Sequence, residues 1–419
     1  MNTGRALLRF VAGSIRVVTR GSALYYAWLA VLGILIAIGG VAYSRQLQDG
    51  LIVTAMRDQV SWGYYIGNFT FLVGVAAAAV VLVIPAYIYN WKPIKEIVIL
   101  GELLAVAALA MCMLFVMIDI GRPDRLLHIM PFTGSLNIPS SLLAWDVLVL
   151  NIYFFLNLDV VTYLLLSLFR RKEPNPYIFM PLVLFSIPMA VGIHSVTAFV
   201  YNGLPGRPFW NSAILAPRFL ASAFCSGPAL MLILLQILRK TAKLNLKMDA
   251  IWKIAELMAY AMFINLFFMG AEVFKEVYSN TQHLQHMEYL YLGLHGKQPL
   301  VGWAWISVVC SVSAFFLFLI PATRKNVLTL NLGCVLIWCG VYIEKGVGLV
   351  VPGFTPSTLG EIYTYYPSST EFMVGLGVFG VGALLFTLMS RVGITIVNGE
   401  LGVDVPPPTA QMKSGTASA

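Results

Sequence analysis

The chain has 419 residues, 59% of them hydrophobic and only 11% charged, which excludes an ordinary soluble globular domain. Its net charge of +8 does not point to nucleic acid, because the basic residues fall in short clusters between long apolar runs and build no single basic face. The pattern is that of an all-α polytopic membrane protein.

The first twenty residues set Arg5, Arg9, Arg16 and Arg20 between Leu7, Leu8, Phe10, Val11 and Ile15, as an interfacial amphipathic segment would. A hydrocarbon core of about 30 Å takes roughly 20 apolar residues per helix. Runs meeting that length lie at 23–44, 62–89, 97–120, 140–169, 176–201, 214–239, 250–279, 299–321, 326–350 and 367–391, which predicts about ten transmembrane helices. The first run is too long for a signal-peptide core and has no evident cleavage site, so it reads as a retained helix. Lys92 and Lys95 follow the second span, and Arg170, Arg171 and Lys172 the fourth. Arg239, Lys240, Lys243 and Lys247 follow the sixth, Arg324 and Lys325 the eighth, and Arg391 closes the last. Every even-numbered exit is basic, so the positive-inside rule places both termini in the cytoplasm. Arg57, Arg122, Arg125, Arg207 and Lys297 then fall in outer loops. The tail after Val405 has the composition of a disordered segment.

Cys112, Cys225, Cys310, Cys334 and Cys339 are scattered and form no C-x-x-C pair, so no iron-sulfur cluster or zinc site is expected in this chain. A membrane haem of b type takes two histidines from facing helices, whereas His128, His283, His286 and His295 all fall in outer loops, so no haem is expected. His283 and His286, at i, i+3, are the remaining candidates for an external metal.

Polar residues inside the spans mark candidate sites, because each is costly in lipid. The third span leaves through Asp119-Ile-Gly-Arg-Pro-Asp-Arg125, seven residues with four charges. His194 lies about seven residues, roughly 10 Å, inside the outer end of the fifth span. Asp146 in the fourth span and Asn68 in the second lie at similar depth, with Trp62, Tyr64 and Tyr65 just above. Four helices thus bring polar groups to one outer layer, a convergence that favours a functional site. Each residue also has a structural reading: His194 as a hydrogen-bonded packing residue, Asp119 paired with Arg122, and Asp146 bridged to Arg122 or Arg125. Tyr153 and Asn157 share a face with Asp146, and Glu102 and Asp159 lie nearer the cytoplasm, so together they outline a proton route across much of the bilayer. Further on, Glu272, Glu276 and Asn265 share a face of the seventh span, with Lys275 beside them and Glu344-Lys345 near the outer end of the ninth. These charges are expected to pair across helices.

Several segments resemble the NrfD/PsrC family of quinone-interacting membrane subunits. They are Trp62-Gly-Tyr-Tyr-Ile-Gly-Asn-Phe-Thr-Phe-Leu-Val-Gly74, the Asp119–Asp124 exit, Pro139-Ser-Ser-Leu-Leu-Ala-Trp-Asp146, the run from His194 to Trp210, and Ala216-Pro-Arg-Phe-Leu-Ala-Ser-Ala-Phe-Cys-Ser-Gly-Pro228. The resemblance covers about residues 60–390, and among ten-span members it points to a menaquinone reductase complex. It implies two four-helix bundles with flanking helices: residues 1–61 as the N-terminal segment and first helix, 62–201 as a first bundle with an outer-side quinone pocket, 202–350 as a second bundle, and 351–419 as the last helix and tail. It also implies menaquinone as substrate and a periplasmic ferredoxin-like iron-sulfur subunit as partner. A multihaem cytochrome c and a molybdopterin-family protein are expected as further redox subunits.

Quinone reduction consumes two protons, so the pocket needs donors and a resupply. His194 is expected to donate to a quinone oxygen, with Asp119 or Asp146 as its partner, since an imidazole exchanges protons near neutrality. Arg122 is expected to orient Asp119 and offset developing negative charge. Tyr64, Tyr65, Asn68 and Thr197 are candidates for lining. Protons arriving from the cytoplasm through Glu102, Asp159, Tyr153 and Asn157 would make turnover electrogenic. A proton-coupled transporter built on the same carboxylates, or a passive anchor for periplasmic redox subunits, are the other readings.

Overall fold

The computed structural model describes residues 3–76, 78–89, 91–95, 97–129, 133–242, 246–281 and 283–403. Lys243 and the C-terminal tail expected to be disordered lie outside these residues. Helix α1 (Thr3–Thr19) precedes α2 (Ala23–Asp49), and α3 (Tyr64–Ala76) and α4 (Ala78–Val83) run into a π-helical turn, Ile84–Ile88. The chain continues through the short α5 (Lys92–Lys95) to α6 (Val98–Asp119), α7 (Leu142–Phe169), α8 (Pro176–Asn202), α9 (Leu215–Thr241) and α10 (Met248–Ser279). Then follow α11 (Leu284–Tyr291), α12 (Val301–Leu319), α13 (Pro321–Lys325), α14 (Val327–Lys345), α15 (Val347–Phe354) and α16 (Ser369–Val397). Among the described residues nine helical segments are long and apolar enough to cross a membrane, α14 and α15 counting together as one. The remaining expected span, 62–89, is shared between α3, α4 and the π turn, where Pro85 has no N–H to give a regular ladder.

Helix partners fall into two sets. α3 packs on α6, α6 on α7, α7 on α8, and α8 returns to α3; α9, α10, α12 and α14 close a second ring. α9 and α14 also touch α3, and α9 touches α8, so the two sets share a seam. α2 lies against α16, which in turn covers α6. Much of the apolar surface of α2 stays exposed, including Ile34, Ile38 and Val41, as a lipid-facing helix requires.

Close approach of α2 and α16 depends on glycine. A methyl group on Gly39 would lie 2.5 Å from the Cα of Gly377. Helices in lipid gain their association from packing, and small residues let the backbones meet. Gly39→Val is expected to cost about 1–3 kcal/mol by overpacking, seen as a lower thermal midpoint of the purified protein in detergent; an unchanged midpoint would show the contact to be dispensable.

The expected ninth helix is broken. Gly346, with φ −81° and ψ −116°, ends α14 and opens α15. A side chain there would meet the Tyr342 carbonyl at 2.5 Å, so the bend needs glycine. α15 is held by Trp210, whose indole N–H donates to the Leu349 carbonyl at 2.9 Å and whose ring fills the space left by Gly353. The break places Lys345, the last residue of α14, at the seam between the two helix sets.

Candidate functional site

α8 keeps Pro181 and Pro188 inside one continuous helix and carries His194 into the interior, where it has no solvent exposure. Nδ1 of His194 lies 2.6 Å from the Ala190 carbonyl, an oxygen that can only accept. The hydrogen bond therefore assigns the proton to Nδ1 and leaves Nε2 with a lone pair. Nε2 is buried and has no hydrogen-bond partner. A buried, unpaired ring nitrogen is costly unless something else is received there. One turn further, Thr197 donates to Asp146 Oδ1 at 2.7 Å, which ties α8 to α7. Thr70 and Tyr201 share a hydrogen bond in the next layer, and Tyr201 packs edge-on against Trp62 and Trp210. Asn68 donates to the Tyr64 carbonyl at 2.7 Å and accepts from the Tyr342 hydroxyl at 2.9 Å. The structure thus joins Thr197 and Asp146 between α8 and α7, with His194 one turn before Thr197 facing Val73 of α3, and His194 bonds to neither Asp119 nor Asp146.

The Asp119 region differs from expectation in its partners. Arg122 turns away and pairs with Asp124 at 3.0 Å, with both side chains largely exposed. The ion pair holds the Asp124 carboxyl below the usual range. A two-residue loop contact of this kind is satisfied in water, whereas reaching Asp119 would bury a guanidinium. The expected Arg122 pairing with Asp119, and the alternative bridge to Asp146, are therefore not formed. Asp119 keeps a buried Oδ1 without a partner. Beside it Tyr65 donates to Gln46 Oε1 at 2.7 Å, and Gln46 donates to the Ile118 carbonyl at 2.7 Å. Glu371, fully buried at the start of α16, accepts from the Ser368 and Ala55 N–H groups at 2.8 Å and from the Tyr365 hydroxyl. Tyr365 in turn accepts from the N–H of Tyr64. Gln46 and Glu371 were missed because they lie at span ends, where polar residues are ordinary.

Of the residues expected along a proton route, three face the interior and one does not. Glu102, Tyr153 and Asn157 are all buried, with Glu102 Oε2 and Asn157 Oδ1 unpartnered. Asn157 donates back to the Tyr153 carbonyl, and Tyr153 reaches the Ala76 carbonyl at 3.5 Å. Asp159 is exposed on the outside of the helix set. Thirteen residues from Asp146 amount to roughly 220° around a helix of 3.6 residues per turn, so Asp159 faces away from the stripe. Asp159→Asn is expected to leave turnover at the wild-type rate; a large loss would restore it to the route.

In the second set the charges singled out in the sequence do not pair with one another across helices; Glu272 and Glu344 are joined instead through a hub the sequence reading did not assign. Arg218, three residues into α9, forms ion pairs with Glu272 of α10 and, at 2.8 Å, with Glu344 of α14. Asn265 adds a bond to Glu344 at 3.2 Å. Lys275 pairs locally with Glu276 at 2.9 Å, and His283 lies 3.8 Å from the same carboxylate. His286 is buried on α11, with Nδ1 on the Pro352 carbonyl at 2.7 Å; burial lowers its basicity. The bond commits one ring nitrogen of the expected metal pair to the backbone. A cavity opens here, lined by Arg218, Phe219, Ser222, Glu344 and Lys345, with Met269, Met287 and Tyr291 among its apolar walls.

Residues 52–354 match the family model described as polysulphide reductase, NrfD. The chain is 28% identical to a putative membrane subunit of dimethyl sulfoxide reductase from Halobacterium salinarum, covering 85% of this chain and 88% of that one. It is 25% identical to a selenate reductase subunit of Mesobacillus selenatarsenatis, over 86% and 92% of the two chains. To the integral membrane subunit of menaquinone reductase of Nitratidesulfovibrio vulgaris it is 22% identical, over 88% and 91%. With its helices long enough to cross the bilayer and a family match over most of its length, the chain is a multi-pass inner-membrane protein that belongs to the NrfD family of membrane subunits of reductase complexes.

Proposed function

We propose that this chain is the quinone-reacting subunit of a multi-subunit respiratory oxidoreductase and passes electrons from periplasmic redox subunits to menaquinone in the outer layer around His194. The observation that carries the reading is the unpaired, fully buried Nε2 of His194 among the hydrogen-bonded groups of α3, α7 and α8. A ferredoxin-like iron-sulfur subunit is the proposed immediate donor, with a multihaem cytochrome c and a molybdopterin-family protein as further companions. Relatives named as subunits of dimethyl sulfoxide, selenate and menaquinone reductases support an assembly of this kind.

Bound menaquinone supplies the two-electron acceptor. The protein supplies position and protons: Ala190 fixes the tautomer of His194, so that Nε2 is the atom that holds or releases a proton toward the quinone oxygen. Asp146 is held by Thr197, and Asn68 by Tyr342, so these groups stay oriented without a ligand. The test is purification of the complex with its companion subunits, reconstitution into liposomes, and measurement of electron transfer to a menaquinone analogue. Absence of quinone-dependent electron transfer in the intact complex would refute the reading.

A further inference from the structure

Lys345 is the unusual residue of the seam. It is 3% exposed and ends α14 at the Gly346 break. Its ammonium donates to the Phe219 carbonyl at 2.7 Å and lies over the Phe219 ring, 4.7 Å from the centroid. Its neighbour Glu344 is already occupied by Arg218 and Asn265. Lys345 thus forms no ion pair among the described residues; its nearest opposite charge, Glu344, is shared with Arg218, and a buried ammonium without a direct partner is costly. A structural cation would be served better by the carboxylate next to it.

Its two sides differ. On one side is the cavity between α9 and α14, of which Lys345 forms part of the wall. That cavity includes Phe209, Met287 and Tyr291, from the loop before α9 and from α11, and so lies at the end of the molecule opposite the basic helix exits. On the other side is α3: a methyl group on Gly74 would lie 3.3 Å from Lys345 Nζ and 3.1 Å from Ser226 Oγ. The His194 ring sits against the backbone of the adjacent residue, Val73, within electrostatic reach of Lys345. Ser226 Oγ and His194 Nε2 are both buried and unpartnered. Lys345 Nζ and Ser226 Oγ thus share the space over Gly74, and the His194 ring lies beside the preceding residue of the same turn.

We propose that Lys345 is a relay residue that carries protons from the outer-side cavity of the second helix set to His194 Nε2. The proposal rests on the quinone-reducing reading of His194. Each quinol formed takes up two electrons from the redox subunits and two protons. In the relay an N–H bond of the Lys345 ammonium breaks and an N–H bond forms at His194 Nε2, with Ser226 as the hydroxyl between them. Neutral Lys345 then recovers a proton from water in the cavity, and His194 releases its own to the quinone oxygen. The charged groups around Lys345 are Glu344 on its own helix, Arg218 and Cys225 on α9, Glu272 on α10 through Arg218, and His194 on α8. The relay brings protons in from the outer side, unlike a route through Glu102.

The test uses the whole complex in liposomes. Lys345→Gln keeps a donor for the Phe219 carbonyl but releases no proton, and is expected to lower menaquinone-analogue reduction about 10- to 100-fold, the range of a lost proton-transfer group. Lys345→Ala opens space beside the cavity, and methylammonium or ethylammonium in the outer medium is expected to restore part of its rate, more so as pH approaches the pKa of the amine. A merely structural lysine would not respond to a free amine in that way. Wild-type turnover in Lys345→Gln, or a loss in Lys345→Ala that neither amine restores while the thermal midpoint stays at the wild-type value, overturns the relay. Inactive wild-type complex would instead sink the quinone reading itself, so the two failures are separable.

Discussion

Replacing His194 with Gln is expected to lower quinone-dependent turnover about 100-fold, within the range found when a positioned acid or base is lost, while the complex still assembles. Gln can occupy much of the imidazole volume and donate to the Ala190 carbonyl, so the packing of α8 against α3 is kept. What it lacks is a ring nitrogen that can take up a proton and release it again. The assignment of Nδ1–H to Ala190 makes the effect specific, because the whole exchange must pass through the buried Nε2. The rate should fall mainly in kcat, with KM for the quinone changed little, since a proton delivered in the chemical step stabilises the transition state more than the bound substrate. Turnover within a factor of about two of wild type would place the proton-donating group elsewhere in the layer, with Asp146 the next candidate.

The long apolar runs and basic exits made the membrane fold legible, because bilayer thickness imposes a length that composition alone reveals. His194 was legible for a related reason: a histidine in mid-span has few inexpensive places to go. Partner choice was less accessible. Asp119 and Arg122 are spaced as a helical i, i+3 pair, but the helix ends at Asp119, so the spacing rule has no helix to act on and Arg122 finds Asp124 in the following loop. Asp159 lies on the exposed face of α7, which a depth ordering does not reveal, since depth says nothing about which side of the helix a carboxylate faces. The break at Gly346 was hidden because apolar residues continue on both sides of it, and periodicity does not register one glycine. Without that break Lys345 reads as one more member of a paired charge group; with it, the ammonium is the link between two helix sets.

Arg218 gives the largest expected effect on stability. It stands near the start of a span, where an arginine ordinarily reaches the interface. In the fold its side chain is only 14% exposed and lies between Glu272 and Glu344, whose side chains are 6% and 10% exposed. Removing it leaves two carboxylates facing each other without the cation they share. Breaking a buried pair by deleting one partner costs about 3–5 kcal/mol, and Arg218→Met is expected to lower the thermal midpoint of the detergent-solubilised complex by on the order of 5 °C. Combining Arg218→Met with Glu272→Met and Glu344→Met should recover much of the loss, because the uncompensated charge goes with its source. Asn265 limits the recovery, since it loses its bond to Glu344. The comparison separates the ion network from the cavity beside it. If the single and triple replacements are equally destabilised, the cost lies in the packing of α9, α10 and α14; an unchanged midpoint in Arg218→Met would mean that the two carboxylates need no cation, and the hub would then be a feature of the site rather than of the fold.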